Sequence, residues 1–174
     1  MTRASTTAVA TVGLLDANLL IALTQQAHIH HTEAHAWFAL QPDRLWATCA
    51  LTQLAFVRLT SNPQIVGERI TPEQAMQALR TMTAQPQHVY WHDTPETLAM
   101  ATLNSAALVG HRQVTDAYLL GLAAHQRQCL ATLDRGLVSF AQALGLGACA
   151  ELVSGSTSPL PEPSAIYKAK RAPR

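Results

Sequence analysis

The chain has 174 residues, 48% of them hydrophobic, which suits one domain with a single well-formed core and argues against a second. No apolar run is long enough to span a bilayer: the longest early one, Val12 to Leu23, is broken by Asp16 and Asn18, and with Arg3 as its only basic lead it makes a poor signal peptide, so a cytoplasmic protein without a membrane contact is expected. The net charge is +1, yet Lys168, Lys170, Arg171 and Arg174 crowd the end, and residues 1–154 hold eight basic and ten acidic groups, a net of −2 that lacks the strong basic footprint of a general nucleic-acid binder.

Residues 1–10 are rich in Ala and Thr without periodicity, and residues 154–174 carry Ser, Gly and Pro before the basic cluster, so both are read as flexible tails around a domain at 11–153. Thr11 to Leu15 is the first strand, followed by a short helix from Ala17 to about Leu23 and a second near Thr32 to Leu40. Leu45 to Cys49 is the second strand. A helix from Leu51 to Leu59 then ends at Ser61-Asn62-Pro63, because proline disfavours helical geometry in the residue before it. Thr71-Pro72-Glu73-Gln74 gives a capping-box start with proline at the first helical position, for a helix reaching about Thr83. His88 to Trp91 is the third strand, and Thr94-Pro95-Glu96 opens a helix to about Leu108. Thr115 is expected to cap the next helix, whose interior from Ala117 to Ala124 is apolar on every side and therefore buried. Cys129 to Leu133 is the fourth strand, a helix runs from Asp134 to about Leu144, and Ala148 to Val153 is the last strand. Short apolar strands alternating with longer helices imply an α/β domain with a parallel sheet.

On this map three aspartates stand where a strand or loop hands over to a helix: Asp16, Asp116 and Asp134. The carboxyl ends of parallel strands share one edge, so residues just beyond them converge although they are distant in sequence. Each could serve singly as a helix N-cap, because a carboxylate accepts from the free N–H groups of the first turn. Gathered, they would suit magnesium or manganese, hard cations that take oxygen ligands, and would point to a metal-dependent phosphodiesterase. Asn18 and Thr132 lie within two residues of these acids and are candidates to orient them, or else to make turn and strand-end hydrogen bonds. Cys49, Cys129 and Cys149 are odd in number and lack CxxC spacing, which supports neither a disulfide framework nor a thiolate zinc site.

The wording of these segments resembles the PIN-domain ribonucleases, and more closely the VapC-type toxins of bacterial toxin-antitoxin pairs. The match covers about residues 12–140. It rests on Leu14-Leu15-Asp16-Ala17-Asn18-Leu19-Leu20, on His28, His31 and Ala34 leading to Trp37-Phe38, and on Trp46-Ala47-Thr48-Cys49 through Phe56-Val57-Arg58. It continues through Ser61-Asn62-Pro63, Arg112-Gln113-Val114-Thr115-Asp116-Ala117-Tyr118 and Ala131-Thr132-Leu133-Asp134-Arg135-Gly136. The resemblance implies a three-layer α/β/α fold around a short parallel sheet, Mg2+ or Mn2+ at Asp16, Asp116 and Asp134, and endonucleolytic cleavage of RNA. It also implies a cognate antitoxin protein and a homodimer. One position departs from the pattern. Such toxins usually carry a glutamate in the helix after the second strand, and Gln53 stands at the matching place. An amide can offer a carbonyl oxygen but no charge, so weaker metal binding is expected.

If that role holds, Arg58, Arg112 and Arg135 are candidates to contact phosphates, since they lie in or beside the acid-bearing segments. Folded or single-stranded RNA is the expected target, because the major groove of duplex RNA is too deep and narrow for side chains. Gln53 keeps open a second function, a catalytically weakened PIN-fold module that binds RNA or protein. A third is a zinc hydrolase built on His28, His30, His31 and His35, where His31 and His35 share a helix face; its motif is incomplete, since Thr32 stands where zincins have glutamate.

Overall fold

The computed structural model describes residues 12–40, 44–93, 108–111 and 113–154. Both expected tails, apart from Ser154, and the expected helix from 94 to about 108 lie outside these residues. Five parallel strands form one sheet: β1 (Val12–Leu15), β2 (Leu45–Thr48), β3 (His88–Tyr90), β4 (Cys129–Thr132) and β5 (Ala150–Leu152), in the order β3-β2-β1-β4-β5. The strands are short and apolar, as suits a parallel sheet covered on both faces. β1 is central, with Gly13 opposite Trp46 of β2 and Leu14 opposite Leu130 of β4. The chain winds outward from β1 in both directions, so the strand order reverses between β1 and β4. In open parallel sheets such a reversal leaves a crevice at the carboxyl ends of the two strands.

Seven helices flank the sheet among the described residues: α1 (Ala17–Thr24), α2 (His31–Ala39), α3 (Ala50–Thr60), α4 (Pro63–Val66), α5 (Pro72–Thr83), α6 (Gln113–His125) and α7 (Arg135–Ala143). Alternating side chains of the strands feed two cores. On one face Leu14, Ala47 and Leu130 pack with Leu119, Leu120 and Leu122 of α6 and with Leu137 and Phe140 of α7. On the other, Leu15, Trp46 and Ala131 pack with Leu19, Leu20 and Leu23 of α1, Phe56 of α3 and Leu79 of α5. The result is the three-layer α/β/α arrangement expected. Trp37 and Phe38 of α2 are half-buried against the second core, while Leu19 and Leu20 are fully buried.

Several boundaries differ from the sequence expectations. α6 begins at Gln113, so Thr115 lies inside its first turn and is not the cap; the apolar stretch after Ala117 marks the buried part of the helix rather than its start. A single-turn helix, α4, follows the break at Pro63. Asn62 caps it by accepting from the Gln64 N–H at 3.0 Å, and Gly67 closes it in the left-handed conformation with φ of 77°. β5 is shorter than expected because Gly147–Cys149 form a 3-10 turn before it. The Thr71 start holds as read: Thr71 Oγ1 accepts from the Gln74 N–H, and the Gln74 side chain accepts from the Thr71 N–H.

One polar clamp crosses the sheet. Arg44, just before β2, donates from Nη1 and Nη2 to the two carboxylate oxygens of Glu151 on β5, at 3.1 and 2.6 Å. Trp37 Nε1 donates to the same carboxylate at 2.9 Å, and the guanidinium lies 5.3 Å from the Trp37 ring centre. Its path runs beside Gly13, where a Cβ would stand 3.0 Å from Nη2. Glycine at that place in β1 is thus explained by close approach rather than by backbone conformation.

Candidate active site

β1 ends at Leu15 and Asp16 follows it; the Asp16 N–H donates to the Ala131 carbonyl at 3.0 Å, extending the β1–β4 ladder by one residue. β4 ends at Thr132, and Asp134 follows two residues later. Both acids therefore stand at the reversal point of the sheet. Their side chains are held differently. Asp134 is the N-cap of α7, its Oδ1 accepting from the Gly136 N–H at 2.6 Å and the Leu137 N–H at 3.3 Å. Asp16 occupies the N-cap position of α1 but makes no side-chain cap bond there. Its Oδ2 accepts instead from the Thr132 hydroxyl at 2.8 Å.

Thr132 is the hub. It is fully buried, and its single hydroxyl proton goes to Asp16 because a carboxylate only accepts. Its lone pairs take the Asn18 Nδ2–H at 3.1 Å and the Asp134 backbone N–H at 3.1 Å. Asn18 Oδ1 in turn accepts from the Leu133 N–H at 3.3 Å. One hydroxyl thus links Asp16, Asn18 and the backbone of Asp134, and adjacency in sequence had given only the neighbourhood of this arrangement.

Asp116 projects from the first turn of α6, and its carboxyl is pushed up to about 6, first by burial and then by the negative charges of Asp16 and Asp134. Asp16 is also raised, chiefly by burial and also by Asp134, against the lowering effect of the Thr132 hydroxyl. Each acid feels the others. Electrostatic repulsion reaches further than a coordination bond, however, and among the described residues no three Asp, Glu, His or Cys side chains stand close enough to hold one ion as they are.

The other residues singled out in the sequence fall into place unevenly. Gln53, half-buried on α3, donates from Nε2 to Thr48 Oγ1 at 2.8 Å, and Thr48 Oγ1 lies 2.8 Å from His88 Nε2. The amide is therefore engaged at the end of β2 in a polar chain that residue type alone did not reveal. Arg135 is exposed at the start of α7, beside Asp134. Arg58 is exposed in the last turn of α3, about 12 Å along the axis from the first residue of that helix. Arg112 lies outside the described residues.

Among the described residues the histidines do not gather into a metal site. His31 Nδ1 bonds the Ala22 carbonyl at 2.8 Å and His35 Nε2 bonds the Leu23 carbonyl at 2.9 Å, with their rings 4.4 Å apart. They satisfy carbonyls at the C-terminal end of α1, which have no partner within that helix, and so tie α2 to α1. This role in packing, rather than zinc binding, accounts for the i, i+4 pair. Cys49 is buried, and all three cysteines are free thiols.

No protein-family model matches the chain. Among curated proteins, VapC39 of Mycobacterium tuberculosis is 36% identical over 130 residues, covering 75% of this chain and 94% of the relative. VapC29 of the same organism is 40% identical over 124 residues, covering 71% and 86%. The chain belongs to the VapC ribonuclease family. The PIN-domain resemblance read from the motifs therefore stands, and the aligned length spans nearly the whole of these VapC relatives. Among solved structures, VapC20 of M. tuberculosis, described as a toxin that cleaves the sarcin-ricin loop, superposes with a TM-score of 0.55 at 16% identity, over 76% of this chain and 95% of that one. At that identity the likeness shows the shared VapC fold. Among the described residues no helix is long and apolar enough to cross a membrane.

Proposed function

We propose that this VapC-family chain is a cytoplasmic endoribonuclease toxin of a toxin-antitoxin pair, using Mg2+ or Mn2+ held by Asp16, Asp116 and Asp134. The observation that carries it is the convergence of Asp16 and Asp134 at the reversal point of the sheet, with Asp116 of α6 near enough that their charges add to burial in raising its carboxyl to about 6. The names of the relatives support the ribonuclease reading. The donor set fits a hard cation: every candidate ligand is an oxygen, and a divalent ion would relieve the repulsion that raises Asp16 and Asp116. Such an ion lowers the pKa of its bound water and stabilises charge on a phosphate and its leaving oxygen.

The chain's own residues supply the rest. Thr132 fixes Asp16 by donating to Oδ2, and Asn18 and the Asp134 N–H fix Thr132. The α7 N-terminus fixes Asp134 through two N–H groups. Such tethering removes rotamer freedom before substrate arrives, which is how groups around metal ligands raise affinity. Arg135, exposed next to Asp134, would meet a substrate phosphate. An antitoxin partner and a homodimer belong to the same proposal.

The test is cleavage of RNA with Mn2+ by the wild-type chain and by Asp16→Asn. Cleavage should require the metal and vanish in the variant; cleavage that survives both EDTA and Asp16→Asn would sink the mechanism. A second reading, a binding module with little catalysis, is favoured by one observation: the Gln53 amide, which replaces an expected carboxylate, is committed to Thr48. No cleavage by any form, with RNA binding retained, would select it.

A further inference from the structure

Beside Asp134 the surface opens into a cleft of about 510 Å3, lined in part by Asn18, His28, Ile29, His30 and Arg135. It is shallow and open to solvent, the shape of a surface on which an extended chain can lie rather than of an enclosed pocket. Its far wall is the turn between α1 and α2. This turn is held in place: the His28 N–H donates to the Gln25 carbonyl at 3.0 Å, the His31 N–H donates to the His28 carbonyl at 2.9 Å, and His31 and His35 anchor α2 to the end of α1. The two cleft imidazoles are oriented as well. His28 Nδ1 accepts from the His30 N–H at 3.2 Å, which leaves Nε2 as the protonated nitrogen of a neutral ring. His30 Nδ1 bonds Glu33 at 2.8 Å, and the two rings are 5.8 Å apart. Between them Ile29 is 89% exposed, an apolar side chain held out on a fixed turn with no packing role in either core. A second cleft of about 260 Å3, toward Ile65 and Val66, shares His28 and Ile29 as its wall.

The chemistry of the cleft is mixed in a particular way. It offers flat rings and an aliphatic side chain, a guanidinium, and a side-chain amide, all next to the acids proposed to act on a phosphodiester. Single-stranded RNA presents the complementary set, since unstacked bases lie on aromatic and guanidinium planes and phosphates meet cationic side chains. We propose that this cleft seats the nucleotide next to the scissile phosphate of a single-stranded RNA segment, with the base against His28 and Ile29 and the phosphate at Arg135. The inference rests on the ribonuclease reading and deepens it by assigning the turn at 25–30 to substrate selection. It gives the four histidines of this region two separate tasks: His31 and His35 of α2 build the support, and His28 and His30 of the turn face the substrate.

The test uses a pool of fluorescein-labelled RNA stem-loops with a randomised loop. Cleavage sites are sequenced and kcat and KM measured for the wild type, His28→Ala, Ile29→Ser and Arg135→Ala with Mn2+. Binding is measured by anisotropy with the same substitutions in the Asp116→Asn background. Loss of a base-stacking surface should raise KM and Kd roughly tenfold in His28→Ala and several-fold in Ile29→Ser, with kcat nearly unchanged. The base preference at one position beside the cut should relax in both. Arg135→Ala should weaken binding evenly across sequences and flatten its salt dependence. Because Ile29 is exposed, Ile29→Ser keeps the test valid if His28→Ala folds poorly. If the wild type cleaves while His28→Ala and Ile29→Ser keep its KM and cut pattern, the cleft assignment falls and the ribonuclease reading stands. If the wild type does not cleave but binding still weakens in these variants, the cleft stands as an RNA-binding surface, while the ribonuclease reading and the placement beside a scissile phosphate fall. Neither cleavage nor binding overturns both.

Discussion

Asp116→Asn should stabilise the metal-free protein, and only above a defined pH. The Asp116 carboxyl sits at about 6 against an ordinary value of 3.8 because burial, Asp16 and Asp134 all oppose its ionisation. The folded state therefore holds this proton more tightly than the unfolded chain does. The associated stability is fully present below 3.8 and is lost as pH rises through 6. A difference of this size costs at most ~3 kcal/mol when the group is ionised. Asp116 is only partly buried, so solvent screening reduces the cost to about 1 kcal/mol. Asparagine keeps the shape without the charge. In EDTA at about pH 8 the variant should melt about 3 °C above the wild type, and at about pH 4 the two should coincide. Adding Mn2+ should reverse the order at the higher pH, because the wild type gains a ligand charge that the variant lacks. Differential scanning calorimetry at both pH values measures this. A variant that melts at or below the wild type at both, without metal, would refute the shared field of the three acids.

Gln53→Glu should tighten Mn2+ binding roughly tenfold by isothermal titration and raise cleavage, provided the added carboxylate reaches the site, since ligand charge sets affinity for hard cations. Unchanged affinity would mean that position 53 serves only the contact to Thr48. Thr132→Val should lower stability by about 2 kcal/mol, because the Asn18 amide and the Asp134 N–H lose a buried acceptor; Thr132→Ser should restore most of it by chemical denaturation. Arg44→Ala should cost about 3 kcal/mol by leaving the Glu151 carboxylate without its bidentate partner. The double variant His31→Ala, His35→Ala should lose about 1–2 kcal/mol through the freed α1 carbonyls. Zinc should leave the melting temperature of the wild type unchanged; a zinc-dependent rise abolished in that double variant would restore the histidine site.

What could be read from the sequence was local or periodic. The apolar strands β1 and β4, and the Thr71–Gln74 capping box, depend on near neighbours and stand out in the order of residues. The position of Asp16 and Asp134 at one edge follows from parallel topology alone. The rest depended on partners distant in sequence. Thr132 meets Asp16 across 116 positions, and Arg44 meets Glu151 across 107, so neither pairing has a local signal. The histidines carried a real pattern, two imidazoles at i, i+4 on α2, but its use was decided by where the carbonyls of α1 end. Gln53 was recognisable as an anomaly; Thr48 is only five positions away, but residue type alone carries no signal of the contact made across the bend from β2 into α3. The N-terminal start of α6 was misplaced at Thr115 because hydroxyl residues are frequent caps, and a helix entering from a polar turn gives no apolar mark at its first residues.

The central claim is that Asp16, Asp116 and Asp134 act as one metal-dependent site. Single-turnover RNA cleavage across a Mn2+ titration tests it most directly, in the wild type and in Asp16→Asn, Asp116→Asn and Asp134→Asn. Groups that act as a unit fail together, so each substitution alone should abolish cleavage almost as completely as EDTA does. Wild-type rate and metal dependence in any one of the three variants would contradict it.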